Sequence, residues 1–223
     1  MGDEMSSVSV PAPRVTINRN PGAQLALALT VFALVLASNS IINQSWLNYS
    51  EEFPEETGSL DRDYGLTGFD IELCDRSDCE TIGDSYSDTY DDDCEDSDSD
   101  ACSDLKDFHN GGFVAVIMLI ISSVILFVAT IFQTLSMLGK LRKTSNIISS
   151  IGGILVGTSV LVWFLMIPDT MVSGAAGTSD FDIGWENLGQ GFWMALVASS
   201  AGLVAGFSGK IQSWIDGPPR TRS

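Results

Sequence analysis

At 223 residues, with 45% hydrophobic and 18% charged side chains and a net charge of −18, the chain has the average make-up of a soluble domain. The averages conceal a segregation. The stretch 43–110 holds 22 Asp and Glu against Arg62, Arg76 and Lys106, a net of −19, and the remainder is close to neutral. A soluble core of this size spreads its charge over the exposed faces of its helices, so the separation points to a bilayer. The acidic balance argues against nucleic acid as a partner.

Residues 1–22, rich in Ser, Pro and Asn and without apolar periodicity, read as a disordered tail. Four segments follow that contain no Asp, Glu, Lys, Arg or His: 23–43, 113–137, 147–167 and 189–209. Each is near the roughly 20 residues that cross about 30 Å of hydrocarbon as a helix, and lipid forces helical pairing on the backbone. Val35, Leu36 and Ala37 before Ser38 have the form of a signal-peptidase site. The long leading region and the continuation through Ile41 and Ile42 favour a retained span.

Eight of the eleven basic residues (Arg14, Arg19, Lys140, Arg142, Lys143, Lys210, Arg220 and Arg222) fall on one side of such an arrangement. By the positive-inside rule that side is cytoplasmic. The expectation is a multi-pass cell-membrane protein with both termini inside, an acidic extracellular loop 44–112, a cytoplasmic turn 138–146, a second outer loop 168–188 and a cytoplasmic tail 210–223. All four cysteines (Cys74, Cys79, Cys94 and Cys102) lie in the first outer loop, where oxidising conditions let disulfides persist. Two glycosylation sequons, at Asn43 and Asn48, lie on the same side.

Within that loop, 64–73 reads as a strand: Phe69, Ile71 and Leu73 alternate with Asp70 and Glu72. A hairpin pinned by Cys74–Cys79 fits the spacing and leaves Cys94 with Cys102, although four cysteines allow three pairings. A zinc site fits poorly, because the spacings are not those of Cys-x2-Cys knuckles and His109 is the only histidine. Asp96, Asp98 and Asp100, with Asp104 and Asp107 at the ninth and twelfth positions, repeat the ligand spacing of an EF-hand loop. Ala101 stands where that loop needs glycine, and no flanking helices are evident. The expectation is a solvated acidic tract without a cofactor, binding calcium weakly at about 10⁻⁴–10⁻³ M.

Ser149, Gly153 and Gly157 in the third span, and Ala198, Gly202 and Gly206 in the fourth, recur every four residues. Small residues on one helical face let backbones approach closely, marking a packing seam that is either internal or shared with a lateral membrane partner or a second copy. Trp46, Trp193 and Trp214 fall at the expected interfaces, as an aromatic belt would place them. No span carries an acid, a base or a metal ligand, and no nucleophile has a base at recognisable spacing, so the chain is read as non-enzymatic.

The order of these features resembles the claudin and peripheral-myelin-protein-22 superfamily of four-span proteins. That family's first loop carries an early Trp, then Gly-Leu-Trp, then two Cys; here Trp46, Gly65 and Leu66, and Cys74 with Cys79 stand in that order. Thr67 replaces the third motif residue, and Cys94, Cys102 and the acidic run are additions. The resemblance implies a membrane all-α four-helix bundle with a small extracellular, disulfide-braced β-sheet, and a role in adhesion, barrier formation or modulation of a partner. The functional expectation is an acidic ectodomain displayed for cell-surface contact, or an auxiliary subunit of a membrane complex. The alternative is a cation-selective pore or vestibule formed by an oligomer.

Overall fold

The structure, a computed structural model, describes residues 21–53, 58–75, 78–94, 100–136, 142–167, 170–173 and 179–215. Residues 1–20 of the expected tail 1–22, Asp96, Asp98 and the terminal residues 216–223 lie outside them, and Pro21 and Gly22 open the first helix rather than end a tail. Four helices are long and apolar enough to cross a membrane: α1 (Pro21–Ile42), α3 (Asp100–Ser136), α4 (Arg142–Met166) and α5 (Gln190–Ile215). At one end of the bundle stand an antiparallel sheet of β1 (Leu47–Phe53), β2 (Gly58–Tyr64), β3 (Gly68–Asp75) and β4 (Asp78–Ser85), and a short helix α2 (Tyr86–Asp93). A hairpin of β5 (Thr170–Ser173) and β6 (Ser179–Asp182), then one 3-10 turn (Trp185–Asn187), occupies the second expected loop. These helices and two disulfides fit a membrane protein with an oxidised extracellular domain.

The bundle is packed with its small residues inward. On α1 the buried positions are Ala23, Ala26, Thr30, Ala33, Ala37 and Ser40, while Leu25, Phe32 and Val35 are about half exposed. On α3 the buried stripe is Ala115, Leu119, Ser122, Leu126, Ala129 and Gln133, and Phe113, Ile117, Ile120, Val124, Phe127 and Ile131 turn outward. Both stripes alternate steps of three and four, the 3.5-residue period of helices crossing at a shallow angle. Such an inside-out distribution suits lipid, where large apolar side chains gain nothing by leaving the tails and small ones let helices close up.

The helices form a ring in which α1 adjoins α3 and α5, and α4 adjoins α3 and α5. The two ladders of small residues face each other across α4 and α5. A Cβ added at Gly153 would lie 2.8 Å from Leu203 N and 2.9 Å from Ser199 O; one at Gly202 would lie 2.9 Å from Gly153 Cα. Ser199 Oγ donates to Gly153 O (2.9 Å) and Ser149 Oγ to Gly202 O (3.3 Å). Thr30 Oγ1 and Ser149 Oγ, hydrogen-bonded at 2.9 Å, bring α1 into the same network. Gly157 faces Ser199, Gly206 faces Asn146 and Ser150, and Ala198 is fully buried. The seam is therefore internal to the bundle, joining α4 to α5.

Two other expectations are corrected. The strand 64–73 is interrupted: β2 ends at Tyr64, Gly65 N donates to Gly68 O (2.8 Å), and β3 starts at Gly68. The segment 44–112 is not loop to its end: α3 is helical from Asp100 and at 37 residues is about 55 Å long, well beyond the hydrocarbon thickness, so its first turns stand outside the apolar stretch. Gly111 and Gly112, just before the expected start of the span at 113, lie inside this helix. Their missing side chains admit Met166 and the Leu66 backbone respectively.

Replacing Gly153 with Leu is expected to lower the stability of the detergent-solubilised protein by about 1–3 kcal/mol, since backbone atoms of α5 must move to admit it. Ile154→Leu, on the exposed face of the same helix, serves as the control and leaves the thermal midpoint in place.

Candidate interaction surface

The sheet is held on the bundle by one residue with contacts on every side. Trp46 is fully buried. Its Nε1 donates to Ser40 O at the end of α1 (2.7 Å), and its ring meets Trp163 of α4 edge-on (5.1 Å) and Phe192 of α5 (6.4 Å). Gly191 lies against the indole, where any side chain would collide. Trp46 N donates to Tyr64 O (2.8 Å), and Gly189 N donates to Trp46 O (2.9 Å). The expected belt position is thus corrected for Trp46, which is a core residue. Trp193 is 44% exposed, and Trp185 on the 3-10 turn is 67% exposed, stacked on Phe164.

Beneath the sheet, four rings form a second anchor, of which sequence reasoning had singled out only Phe69, on the apolar face of the expected strand. Tyr64 stacks on Phe108 (5.6 Å), Tyr86 lies 5.9 Å from Phe108 and 6.0 Å from Phe69, and Tyr64 lies 6.4 Å from Phe69. Tyr86 Oη donates to Gly65 O (3.0 Å) and Tyr86 N to Thr67 O (3.1 Å), fixing the turn between β2 and β3. Burial pushes the Tyr86 phenol well above its ordinary range and raises that of Tyr64, which the Arg62 charge partly offsets. Their aromatic character was visible in the chain; their meeting depends on the helical extension of α3 that carries Phe108.

The disulfides close the ends of this unit. Cys74 and Cys79 are direct partners across β3 and β4, and Cys94–Cys102 ties the end of α2 to the first turn of α3. Of the calcium-type set, Asp100 begins α3, and Asp104 and Asp107 stand on that helix. Helices therefore do flank the acidic tract, and 100–107 is helical rather than part of a loop. Glu72 with Cys74 and Cys79 is the one metal-like grouping among the described residues, and its sulfurs are bonded to each other rather than free as thiolates. Asn43 Oδ1 accepts from Ser45 N (2.8 Å). Asn48 is exposed on β1, with Nδ2 donating to Asp63 Oδ1 (2.6 Å).

The sheet's two faces differ. Leu47, Tyr64 and Phe69 point toward the bundle, but farther out the same face carries Leu73 and Ile82, 50% and 57% exposed. The opposite face sets Asp63 directly across from Asp70 and Asp61 across from Glu72. Like charges directly opposed across strands cost about 0.2–1 kcal/mol. Partial burial raises the Asp63 carboxyl, a hydrogen bond with Ser45 works against it, and Asp70, Asp61 and Glu72 add to the rise. No protein-family model matches the chain, and no curated protein matches it.

A carboxyl raised in the folded state binds its proton more tightly there, so its contribution is present below the ordinary carboxylate range and is lost as pH rises through the raised pKa. Asp63→Asn, which retains an acceptor for Asn48, is expected to stabilise the protein at neutral pH by roughly 0.2–1 kcal/mol. The gain should vanish at mildly acid pH when thermal midpoints of the two proteins are compared.

Proposed function

We propose that the protein is a non-enzymatic, multi-pass membrane protein of the cell surface whose bundle holds an acidic, disulfide-braced sheet outward for contact with an apposed surface. The observation that carries this reading is the row of opposed carboxylates, Asp61, Asp63, Asp70 and Glu72, on a sheet fixed to the bundle through Trp46. A rigid mount supports a contact role, because presenting a charged face costs no ordering when a partner arrives. Arg142 and Lys143 at the start of α4 and Lys210 near the end of α5, at helix ends remote from the sheet, support placing the sheet outside the cell. The order Trp46, Gly65 and Leu66, Cys74 and Cys79, with the two cysteines bridging adjacent strands, supports grouping the chain with claudin-like four-span proteins.

Like-charged sheets on apposed membranes repel at low salt and tolerate approach when the field is screened. Vesicles reconstituted with the protein are expected to remain dispersed at about 10 mM salt and to cluster near 150 mM, where the Debye length falls to about 8 Å, or on adding millimolar calcium. Light scattering that is indifferent to both would contradict the reading.

A second reading rests on the same gathering of carboxylates: several copies could line a vestibule that concentrates cations. It expects a cation-selective conductance in planar bilayers that falls when Asp63 and Asp70 are both changed to Asn. A silent bilayer would remove it.

A further inference from the structure

The sheet runs in the order β1-β2-β3-β4 and its two edges are treated differently. The β1 edge is met at its bundle end, by a bridge between Leu47 and Leu188 and by Asn187 Nδ2 donating to Asn48 O. The β4 edge is open among the described residues: positions 78–84 are exposed and only Ser85 is partly covered. Alternate residues of an antiparallel edge strand turn their N–H and C=O groups away from the sheet, a template for one more strand. The side chains beside this edge are Asp78, Glu80, Ile82 and Asp84, with Ile82 57% exposed in register with Ile71 and between two carboxylates on the same face. At the bundle end of β4 lies an open recess lined by Gln44, Thr67, Asp70, Asp84 and Ser85, wide enough for the head of a long side chain.

We propose that β4 is a docking edge for an extended segment of a partner protein, carrying Lys or Arg two residues to either side of an apolar residue and adding as a fifth strand. Main-chain pairing supplies the affinity in this mode of recognition, and alternate side chains supply the choice of partner. The apolar residue covers Ile82, and the flanking cations meet Glu80 and Asp84, the latter at the recess. Charge rules out a second copy of this chain as the occupant. Two β4 edges laid together set carboxylates beside carboxylates, an arrangement that costs rather than contributes. The proposal rests on the reading of the sheet as a contact surface, and names the chemistry of what it contacts.

The test uses the full-length protein in detergent and a labelled peptide of sequence Lys-Thr-Lys-Thr-Val-Thr-Lys-Thr-Lys, which reads the same in both directions and favours the extended state. The expected result is saturable binding at physiological salt, with slowed amide exchange confined to 78–85. Glu80→Lys combined with Asp84→Asn is expected to weaken binding about tenfold or more. A peptide with alternate backbone amides methylated, offered to the unaltered protein, should not bind.

Equal binding of the methylated peptide would overturn the proposal, since it would reduce the interaction to attraction between polyions. So would exchange protection of 78–85 that grows with protein concentration in the absence of peptide, which would place a second copy on the edge. Failure of the peptide to bind while vesicle clustering keeps its salt dependence would sink this proposal alone and leave the contact surface standing.

Discussion

The fold depends on the burial of one indole at the junction of two unlike environments. Trp46 immediately precedes the sheet's first paired residue, Leu47, and lies only four residues beyond the end of α1. Its ring is nevertheless surrounded by α4 and α5, and its backbone is hydrogen-bonded to β2 on one side and to the turn leading into α5 on the other. Burying a side chain of this size removes on the order of 200 Å² from solvent, and its polar N–H is satisfied by the last turn of α1. The anchor sets the sheet's position relative to three helices at once. Gly191 is small because that anchor leaves no room beside it.

The bundle reaches its cohesion by different means. Its interior is Ala, Gly, Ser and Thr over most of its length, so little of its stability comes from removing large apolar groups from water. Close backbone approach at Gly153 and Gly202 allows many small dispersion contacts, and Ser149, Thr30 and Ser199 add hydrogen bonds between helices where no water competes. The bulky residues face outward, where acyl chains meet them. The two ends of the molecule thus obey opposite rules: aromatic burial under the sheet, small-residue contact in the helices.

Much of this was legible in the chain. The four apolar spans announce themselves by the absence of charge, and the ladders Ser149–Gly153–Gly157 and Ala198–Gly202–Gly206 mark a seam. Four more small residues could have completed the pattern, because Ala26, Thr30, Ala33 and Ala37 repeat on α1 at steps of three and four. What could not be read was the seam's partner, which depends on how helices remote in sequence are arranged in the ring. The extension of α3 was hidden by Gly111 and Gly112, which look like a helix start and are in fact a close-contact point for Met166 and Leu66. The break at Gly65 left a trace that went unread: Tyr64 and Phe69 share a face although five residues apart, an odd step that a continuous strand cannot give. Trp46 was misplaced because a tryptophan near a span end fits an interfacial belt as well as a core, and local sequence carries no signal that separates them.

The continuity of α3 from Asp100 to Ser136 has a mechanical consequence. Its upper twelve residues, about 18 Å, project past the apolar portion and carry Phe108, on which the rings under the sheet rest. Because shaft and floor are one continuous helix, any displacement of that span within the bundle is carried without slack to the rings on which the sheet sits.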